Sequence, residues 1–377
     1  MESRVGESHT AETVFTELAD SLDEMSYEDG WAALNLEMPK RVPRTEFSAH
    51  DYHFELVRAV TGIEVNVESP VEVKIEACQA FVRAWNYDLL FWTQIEASEF
   101  GDMRTNMGHA AFAVEGADYD DNIICPFEDP SEVLAFDPWE VYGERDKREL
   151  TRRFEEFYRW QRAIFPTNVN PVGIYITLIT GLTYIFGWEM MLLAAGIDPE
   201  GFGELTNRYA SWIQQYYDAL AEAEVPVVWS HDDMVWTEGA IFHPDWYRKY
   251  VFPNYEKLWA PLIESGTKII YVCDGDYTQF VDDVAACGVH GYWFEVFTDM
   301  EYVAERYGQT HAMIGNVDTR VLLHGTREQI RTEVERCMAI GKKCPGYFIS
   351  VSNHIPPNTP VDNALYYNEV YEELCWR

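Results

Sequence analysis

The chain has 377 residues, of which 47% are hydrophobic, so it can bury a large core without disulfide or metal staples. It carries 64 acidic and 28 basic residues, a formal net charge of −36 at pH 7. A surface this acidic repels phosphate backbones, so we expect no nucleic-acid partner. The same acidity is compatible with a salt-rich cytoplasm.

The chain begins with a stretch that reads as helical. Residues 11–37 have a helical pattern that stops before Pro39, and we assign residues 1–40 to an N-terminal helical extension. The first residues lack a charged segment followed by an apolar one, so we expect no signal peptide. Residues 42–47 are predicted to form the first strand, with His50 just beyond it.

A helix opened by Pro70 leads to a second predicted strand over residues 87–92. Residues 98–146 are then irregular, acidic and marked by Gly and Pro. A stretch of this length without secondary structure is usually functional, so we predict an insertion loop or lid. Residues 147–164 are predicted to be a charged helix.

The most membrane-like segment covers residues 174–197. It contains Glu189 and three Gly, so a buried strand over 173–179, a loop and a helix explain it better than a membrane span. We therefore expect no membrane insertion.

From about residue 170 onwards, strands and helices alternate without a break. The later strands are predicted to begin at Pro226, Lys268, Gly291, His311 and Gly346. Capping boxes at residues 298–301 and 326–329 open two of the helices between them. Eight strands in this order predict an α/β protein with a parallel (β/α)8 TIM barrel, formed by residues 1–377 as a single domain.

Most of these strands are apolar and then abruptly polar at their carboxyl ends. The clearest examples are residues 227–233, 269–274, 292–295, 314–318 and 348–354. Because the active site of a (β/α)8 barrel lies at this end, the pattern predicts an enzyme.

Three side chains at these ends are predicted to be catalytic. Strand alternation places His231 and Asp233 together facing the cleft and sends Asp232 to the opposite side, where it is a candidate helix cap. His354 precedes a rigid Ile-Pro-Pro turn and is a candidate proton donor to a leaving oxygen. The alternative for His354 is a simple hydrogen-bonding role.

Three further side chains are predicted to hold a metal. A thiolate at Cys273 with a carboxylate at Asp274 suits Zn²⁺, and Glu295 follows an apolar strand in which a lone charge would be costly. The alternatives are a buried cysteine before an Asp-Gly-Asp turn, and a Glu295 that bonds a helix N-terminus.

Aromatic and polar residues at the remaining strand ends are predicted to bind the substrate. They are His50, Trp92, Trp236, Asn316, Asp318 and Asn353. The aromatic members are equally explained as core, and Asn316 and Asp318 as loop structure. The seven cysteines form no CxxC pair, which favours reduced thiols and a cytoplasmic location.

Several segments together resemble the uroporphyrinogen decarboxylase superfamily. They are residues 33–43 (ALNLEMPKRVP), 315–318 (GNVD), 322–326 (LLHGT) and 353–360 (NHIPPNTP) with Asn363. The resemblance covers most of residues 31–374 and is strongest after 226. It implies a (β/α)8 barrel and either a decarboxylase or a cobalamin-dependent methyltransferase that works with a separate corrinoid protein.

The decarboxylase branch has an Arg-rich stretch after the first strand, which suits its polycarboxylate substrate. Residues 44–51 contain no Arg pair, and an acidic protein is a poor host for a polyanion. The thiol-methylating branch has a His-x-Cys, a Glu and a distal Cys near zinc. Here Cys273 and Glu295 match, but Tyr271 and Asn353 replace the His and the distal Cys.

The resemblance therefore favours a corrinoid-dependent methyltransferase of the O-demethylase type in one-carbon metabolism. It would move a methyl group from an O-methylated compound, such as a methoxylated aromatic, to the cobalt(I) of a corrinoid protein, with zinc as the Lewis acid. The alternatives are a decarboxylase-like lyase, a methyl-corrinoid:thiol (coenzyme M type) methyltransferase, and a binding subunit with a decayed site. Homodimerisation is left open.

Overall fold

A computed structural model describes residues 28–48, 50–108, 111–113, 116–118 and 123–377. Most of the predicted N-terminal extension, residues 1–27, lies outside the described residues.

The described strands are β1 Thr93–Ile95, β2 Ala111–Ala113, β3 Gly116–Asp118, β4 Val172–Ile174, β5 Val227–His231, β6 Val235–Trp236, β7 Gly239–Ala240, β8 Lys268–Cys273, β9 Gly291–Phe294, β10 Ala312–Ile314 and β11 Tyr347–Phe348. The described helices are α1 (residues 28–34), α2 Phe54–Thr61, α3 Val71–Ala84, α4 Pro130–Ala135, α5 Pro138–Tyr142, α6 Lys147–Ile164, α7 Ile179–Ile197, α8 Pro199–Glu222, α9 Pro244–Tyr250, α10 Phe252–Ser265, α11 Val281–Ala286, α12 Met300–Tyr307, α13 Thr319–His324, α14 Arg327–Gly341 and α15 Val361–Leu374.

Seven parallel strands form one sheet in the order β1, β4, β5, β8, β9, β10, β11, which is also their order along the chain. The eighth position is held by a bridge. Arg44 pairs in parallel with Tyr87, just before β1, and with Ile349, just after β11. The sheet therefore closes on itself, which confirms the predicted (β/α)8 barrel.

The two strand predictions nearest the N-terminus need correction. Residues 42–47 form only bridges, and the hydrogen-bonded part of the second strand is Thr93–Ile95. Residues 87–92 do reach the sheet, since Leu89 forms a parallel bridge with Val169. The third strand likewise ends at Ile174 and not at residue 179.

Strand alternation divides the core into two layers. The interior of the barrel contains Phe47, Leu89, Val169, Val227, Trp229, Ile270, Val272, Trp293, Ala312, Ile314 and Phe348, all buried. The residues between them on the same strands, such as Val228, Ile269, Tyr271 and Tyr292, pack outward against the helices. Side chains on alternate strand positions therefore face different environments.

Helix α1 closes the amino end of the barrel. Ala33 and Leu34 belong to the interior cluster, and Trp31 packs against it. Gly346, which leads into β11, lies so close that a Cβ there would be 2.7 Å from a methyl carbon of Leu36. The polar ends of the strands lie at the opposite end of the barrel, where a site is expected.

Helix α7 is long and apolar enough to cross a membrane by length and composition alone. Its apolar window is 67% buried within the protein, and Gly187 interrupts it at φ 71°. This helix packs against α4 and α8. The segment is therefore a strand, a loop and a core helix, as predicted.

The predicted irregular insertion contains regular structure. In its described part, Asp129 and Asp137 cap the N-termini of α4 and α5, and the carboxylate of each accepts a backbone N–H. The rings of Phe127 and Phe136 lie 4.8 and 5.2 Å from the ring of Phe186 in α7. This part of the insertion is packed onto the barrel helices, and its role as a lid stays a prediction.

One predicted helix start is confirmed and another is shifted. Thr326 and Gln329 form the capping box of α14. The cap of α12 is Asp299 and not Thr298, because the Asp299 carboxylate accepts from the Glu301 and Tyr302 N–H groups. The Thr298 hydroxyl instead donates to the Gly275 carbonyl, 2.9 Å away.

Candidate active site

The carboxyl end of β5 places His231 and Asp233 on the inner side of the barrel. His231 is buried, and Asp233 is partly exposed with 28% of its side chain accessible. The His231 Nε2 lies 3.2 Å from the Asp233 Oδ1. The predicted pairing of these two residues is therefore present.

Asp232 faces the other way, into the helix layer. Its carboxylate accepts the backbone N–H groups of Leu178 and Thr180 at 3.1 and 2.8 Å, and the Tyr255 hydroxyl at 2.5 Å. It therefore caps the start of α7, the helix that follows β4, and not the helix after β5 as predicted.

Strand β8 separates Cys273 from the site. Val272 belongs to the barrel interior, whereas Cys273 lies in the outer core with Tyr271 and Tyr277. Burial raises the pKa of the Cys273 thiol well above its usual value, and nearby Asp233 adds to the rise. The thiol is therefore protonated, and faces away from the barrel interior.

Asp274 continues the inward-facing positions of β8 and meets residues from two other strands. The Asn353 amide donates to the Asp274 Oδ2 at 2.9 Å and to the Glu295 Oε1 at 3.3 Å. The Gly275 N–H donates to the Glu295 Oε2 at 2.8 Å, and the Asp274 N–H donates to the Asp233 Oδ1 at 2.9 Å. One connected polar cluster thus joins the ends of β5, β8 and β9 to the loop after β11.

The two carboxyl groups on either side of the Asn353 amide have raised pKa values. Burial is the largest cause for Asp274, and the carboxylates of Glu295 and Asp233 add to it. Burial is also the largest cause for Glu295, partly offset by its hydrogen bonds from Gly275 and Asn353. Burial therefore favours the protonated form of these carboxyl groups, and the Asn353 amide, which donates to both, opposes it.

The structure brings together two members of the predicted metal set, Asp274 and Glu295, but not the third, Cys273. Cys273 lies on the outer side of β8, while Asp274 and Glu295 face inward and are bridged by an amide N–H. Within the described part of the chain, no group of three or more His, Cys, Asp or Glu side chains is placed to hold a metal ion. The donor set therefore does not fit the zinc site expected from the sequence.

His354 lies on the opposite side of the mouth from His231. Its Nδ1 is hydrogen-bonded to the Ser48 hydroxyl, and its ring stacks on Tyr52 with centroids 4.9 Å apart. Its backbone N–H donates to the Asn353 Oδ1 at 2.8 Å. His354 therefore joins the site through Asn353, and its role as an acid stays a prediction.

Four aromatic rings form a layer inside the barrel, beneath the polar cluster. Trp229 lies two residues before His231, and Trp293 lies two residues before Glu295. The ring centroids of the two tryptophans are 5.2 Å apart. Phe47 stacks on Trp293 at 4.0 Å, and Phe91 lies 5.5 Å from Trp293. This aromatic floor was missed in the sequence, although alternation from the polar ends identifies Trp229 and Trp293.

The aromatic residues chosen from the sequence lie elsewhere. Trp92 faces outward, with its ring 5.7 Å from Trp160 of α6 and 5.9 Å from Phe165, because Phe91 occupies the inward position. His50 is buried beside it, 6.4 Å from the Trp92 ring. Trp236 is 50% exposed on the β6–β7 hairpin, so it lies on a loop that follows the carboxyl end of β5.

The two remaining predicted substrate residues have structural partners. The Asn316 amide donates to the carbonyls of Glu295 and Thr298 at 3.2 and 3.3 Å, and its oxygen accepts from Arg336 at 3.0 Å. Asp318 caps α13 and pairs with Arg320 at 2.8 Å. Of the predicted substrate residues, Asn353 is the one placed inside the polar cluster.

Residues 161–374, more than half of the chain, match the uroporphyrinogen decarboxylase (URO-D) family. The chain belongs to this family. The superfamily is one of enzymes, and the resemblance found in the sequence is confirmed at this level.

Curated relatives of this URO-D family member are similar over part of their length. A uroporphyrinogen decarboxylase of Carboxydothermus hydrogenoformans is 28% identical over 176 residues, which cover 47% of this chain and 49% of that protein. One from Thermus thermophilus is 28% identical over 171 residues, covering 45% and 48%. The chain thus spans about half the length of the curated relatives it matches.

Among solved structures, the URO-D family member is similar to a methyltransferase from Methanosarcina mazei. The TM-score is 0.62 at 15% sequence identity, over 92% of this chain and 98% of that one. At this identity the likeness shows a shared barrel fold.

Proposed function

We propose that this protein is a methyltransferase that takes the methyl group of an O-methylated compound and passes it to the cobalt(I) corrinoid of a separate protein. The observation that carries the proposal is the buried carboxyl pair of Asp274 and Glu295 at the carboxyl end of the barrel, where burial raises the pKa of both groups and so favours a protonated form. The methyltransferase of the same fold supports this branch of the family.

A methyl ether is a poor electrophile because an alkoxide or phenoxide leaves badly. A buried acid lowers this barrier by giving its proton to the departing oxygen, and such general-acid catalysis typically contributes about 10²–10⁴-fold. In this scheme the CH3–O bond breaks, and its electron pair stays on oxygen. That oxygen takes the proton held between Asp274 and Glu295. The methyl group bonds to cobalt(I), which supplies the new electron pair.

The aromatic floor favours a methoxylated aromatic as the methyl donor. Phe47, Phe91, Trp229 and Trp293 offer ring faces and edges directly beneath the polar cluster, and aromatic pairs gain from such contacts. A substrate ring resting there would place a methoxy oxygen near the carboxyl pair and its methyl group towards the mouth.

Since the expected zinc ligands do not converge, we assign the polarisation of the leaving oxygen to the carboxyl pair and route no step through zinc. His354, the other proton donor considered, is tied to Ser48 and acts in this scheme by orienting Asn353. We place the reaction in the cytoplasm, where the seven free thiols stay reduced.

Decarboxylation is the second candidate, favoured by the names of the curated relatives. A polycarboxylate substrate needs fixed cations in the cleft. The arginines near the first strand form ion pairs with carboxylates of this chain. Arg41 pairs with Asp88 and Asp29, and Arg44 is fully buried, 3.3 Å from Glu46 and beneath the Trp85 ring. The carboxylates of the polar cluster would repel such a substrate, so methyl transfer is the better proposal.

The purified protein, incubated with cob(I)alamin and a panel of methoxylated benzenes, is expected to give the absorption spectrum of methylcobalamin. Asp274→Asn and Glu295→Gln are each expected to lower the rate by roughly 100-fold or more, because each removes a carboxyl group that shares the proton. Glu238→Gln, which removes an exposed carboxylate from the β6–β7 hairpin, is the matched control and should retain activity.

Two outcomes would contradict the proposal. One is the absence of methylcobalamin with every donor tested. The other is full activity of both Asp274→Asn and Glu295→Gln. Activity that is lost on chelation and restored by zinc alone would return the leaving-oxygen role to a metal.

A further inference from the structure

Both ring nitrogens of His231 face hydrogen-bond acceptors. The Nδ1 lies 3.0 Å from the backbone carbonyl oxygen of Tyr175, and the Nε2 lies 3.2 Å from the Asp233 Oδ1. A carbonyl oxygen has no proton to give, and the Asp233 Oδ1 also accepts the backbone N–H of Asp274 at 2.9 Å. An oxygen that accepts a backbone N–H is stabilised as a carboxylate.

A neutral imidazole has one N–H and one lone pair, so it satisfies only one of these two acceptors. We infer that His231 is a doubly protonated imidazolium cation in the folded protein, fixed at the mouth of the barrel by Tyr175 and Asp233. It is therefore a donor at both nitrogens and has no lone pair with which to act as a general base.

His53 provides the opposite case within the same chain. Its Nδ1 accepts the Leu56 N–H at 3.2 Å, and its Nε2 faces the Thr359 carbonyl oxygen at 2.7 Å. One acceptor and one donor nitrogen define a neutral ring. Burial lowers the pKa of His53 below its usual value, which agrees with that assignment.

The surroundings of His231 support the charge. Its ring is stacked on the Tyr175 ring, with centroids 3.9 Å apart and planes 8° apart, a geometry that favours a cation over an aromatic face. The groups that act on it are Asp232 and Asp233 from its own strand and Tyr175, beside Tyr184, from the β4 side. Burial alone would lower the pKa of His231, but Asp233, the Tyr175 carbonyl and Asp232 together raise it.

As a cation, His231 has a role in the methyl transfer proposed above. This role rests on that proposal. As a cation it holds Asp233 in the ionised form, so the shared proton stays with Asp274 and Glu295 and not with Asp233. His231 is thus a positioning residue that acts through Asp233. It decides which carboxyl group of the cluster is the acid.

The charge is tested directly by ¹⁵N NMR of the histidine rings in the 377-residue protein at pH 7, without substrate or cobalamin. His231, assigned by its loss in His231→Gln, is expected to show two protonated nitrogens, and His53 one protonated and one bare nitrogen. A bare nitrogen on His231 at pH 7 would overturn the inference. This measurement needs no turnover, so its failure is distinct from a failure of the methyltransferase proposal.

The positioning role is tested by the pH profile of methyl transfer. His231→Gln removes one positive charge near the carboxyl pair, so the alkaline limb of the profile is expected to move up by roughly one pH unit. His53→Gln, which removes a neutral buried ring, should leave the limb in place. A His231→Gln enzyme that is slower at every pH, with an unmoved limb, would mean that His231 is merely structural.

Discussion

At the scale of single residues, the candidate site opposes the stability of the fold. Asp274 and Glu295 are brought together at the strand ends, and burial raises the pKa of each. A carboxyl group with a raised folded-state pKa makes its full stabilising contribution below its usual pKa of about 4. This contribution is lost as the pH rises through the folded-state value. At neutral pH the pair therefore reduces the free energy of unfolding.

Asp274→Asn is accordingly expected to raise the melting temperature at pH 7 to 8 while it removes activity. We expect a gain of about 1 kcal/mol in the free energy of unfolding, which shrinks as the pH is lowered towards about 4. The measurement is thermal unfolding of the wild type, Asp274→Asn and the control Glu238→Gln over that pH range. A variant less stable than the wild type at pH 8 would show that the Asp274 charge is not a burden to the fold.

The polar tips of the strands were sufficient to predict His231, Asp233, Asp274, Glu295 and Asn353 as members of one cluster. The sequence did not separate Cys273 from Asp274, although alternation sends neighbouring residues to opposite sides. Val272 faces the barrel interior, so Asp274 faces inward and Cys273 faces outward. Which residues of β8 face inward is set when the sheet closes into a barrel. The same alternation, counted backwards, would have identified Trp229 and Trp293 as the floor.

At the scale of elements, one buried carboxylate connects the carboxyl end of β5 to the start of α7 through hydrogen bonds. Asp232 accepts two backbone N–H groups at the start of α7 and one hydroxyl from α10. An exposed cap is typically worth about 1 kcal/mol, and leaving buried donors unsatisfied costs about 1–3 kcal/mol for each group. Asp232 should therefore contribute more to the free energy of unfolding than a helix cap on the surface does.

We expect Asp232→Ala to cost at least about 2 kcal/mol of unfolding free energy, because it leaves buried donors without an acceptor. Asp299→Ala, which removes the exposed cap of α12, is expected to cost about half as much and serves as the control. Urea unfolding followed by circular dichroism compares the two. Equal losses in both variants would mean that the contacts of Asp232 add nothing beyond an ordinary helix cap.

The long charged helix over residues 147–164 was predicted well, since α6 has the bounds expected from the sequence. The shortest elements were not. Helices α4 and α5 have 6 and 5 residues, too few for a helical period to repeat. Residues 42–47 reach the sheet through bridges, so their pairing depends on closure of the barrel and not on a local pattern.

At the scale of the whole molecule, the charge of −36 dominates the behaviour in solution. Acidic side chains repel one another across the surface, and salt screens this repulsion as the Debye length falls from about 10 Å at 0.1 M to about 3 Å at 1 M. The folded state, which holds these charges closer together than the unfolded chain does, gains most from screening.

The melting temperature is therefore expected to rise between about 0.1 and 1 M KCl, by several degrees if screening relieves about 1–2 kcal/mol. Differential scanning calorimetry in KCl measures the shift, and potassium phosphate at matched ionic strength separates screening from salting-out. A melting temperature that falls or stays constant in KCl would show that the acidic surface is not a source of strain.

The plug made by Trp31, Ala33 and Leu34 at the amino end of the barrel has a kinetic consequence. Among the described residues, this plug leaves the carboxyl end of the barrel as the side from which the site is reached. In the methyl transfer that we propose, the methyl donor would therefore enter first and the acceptor protein would then cover it. Product release would wait for the acceptor to leave, so we expect compulsory-order binding in which departure of the acceptor governs turnover.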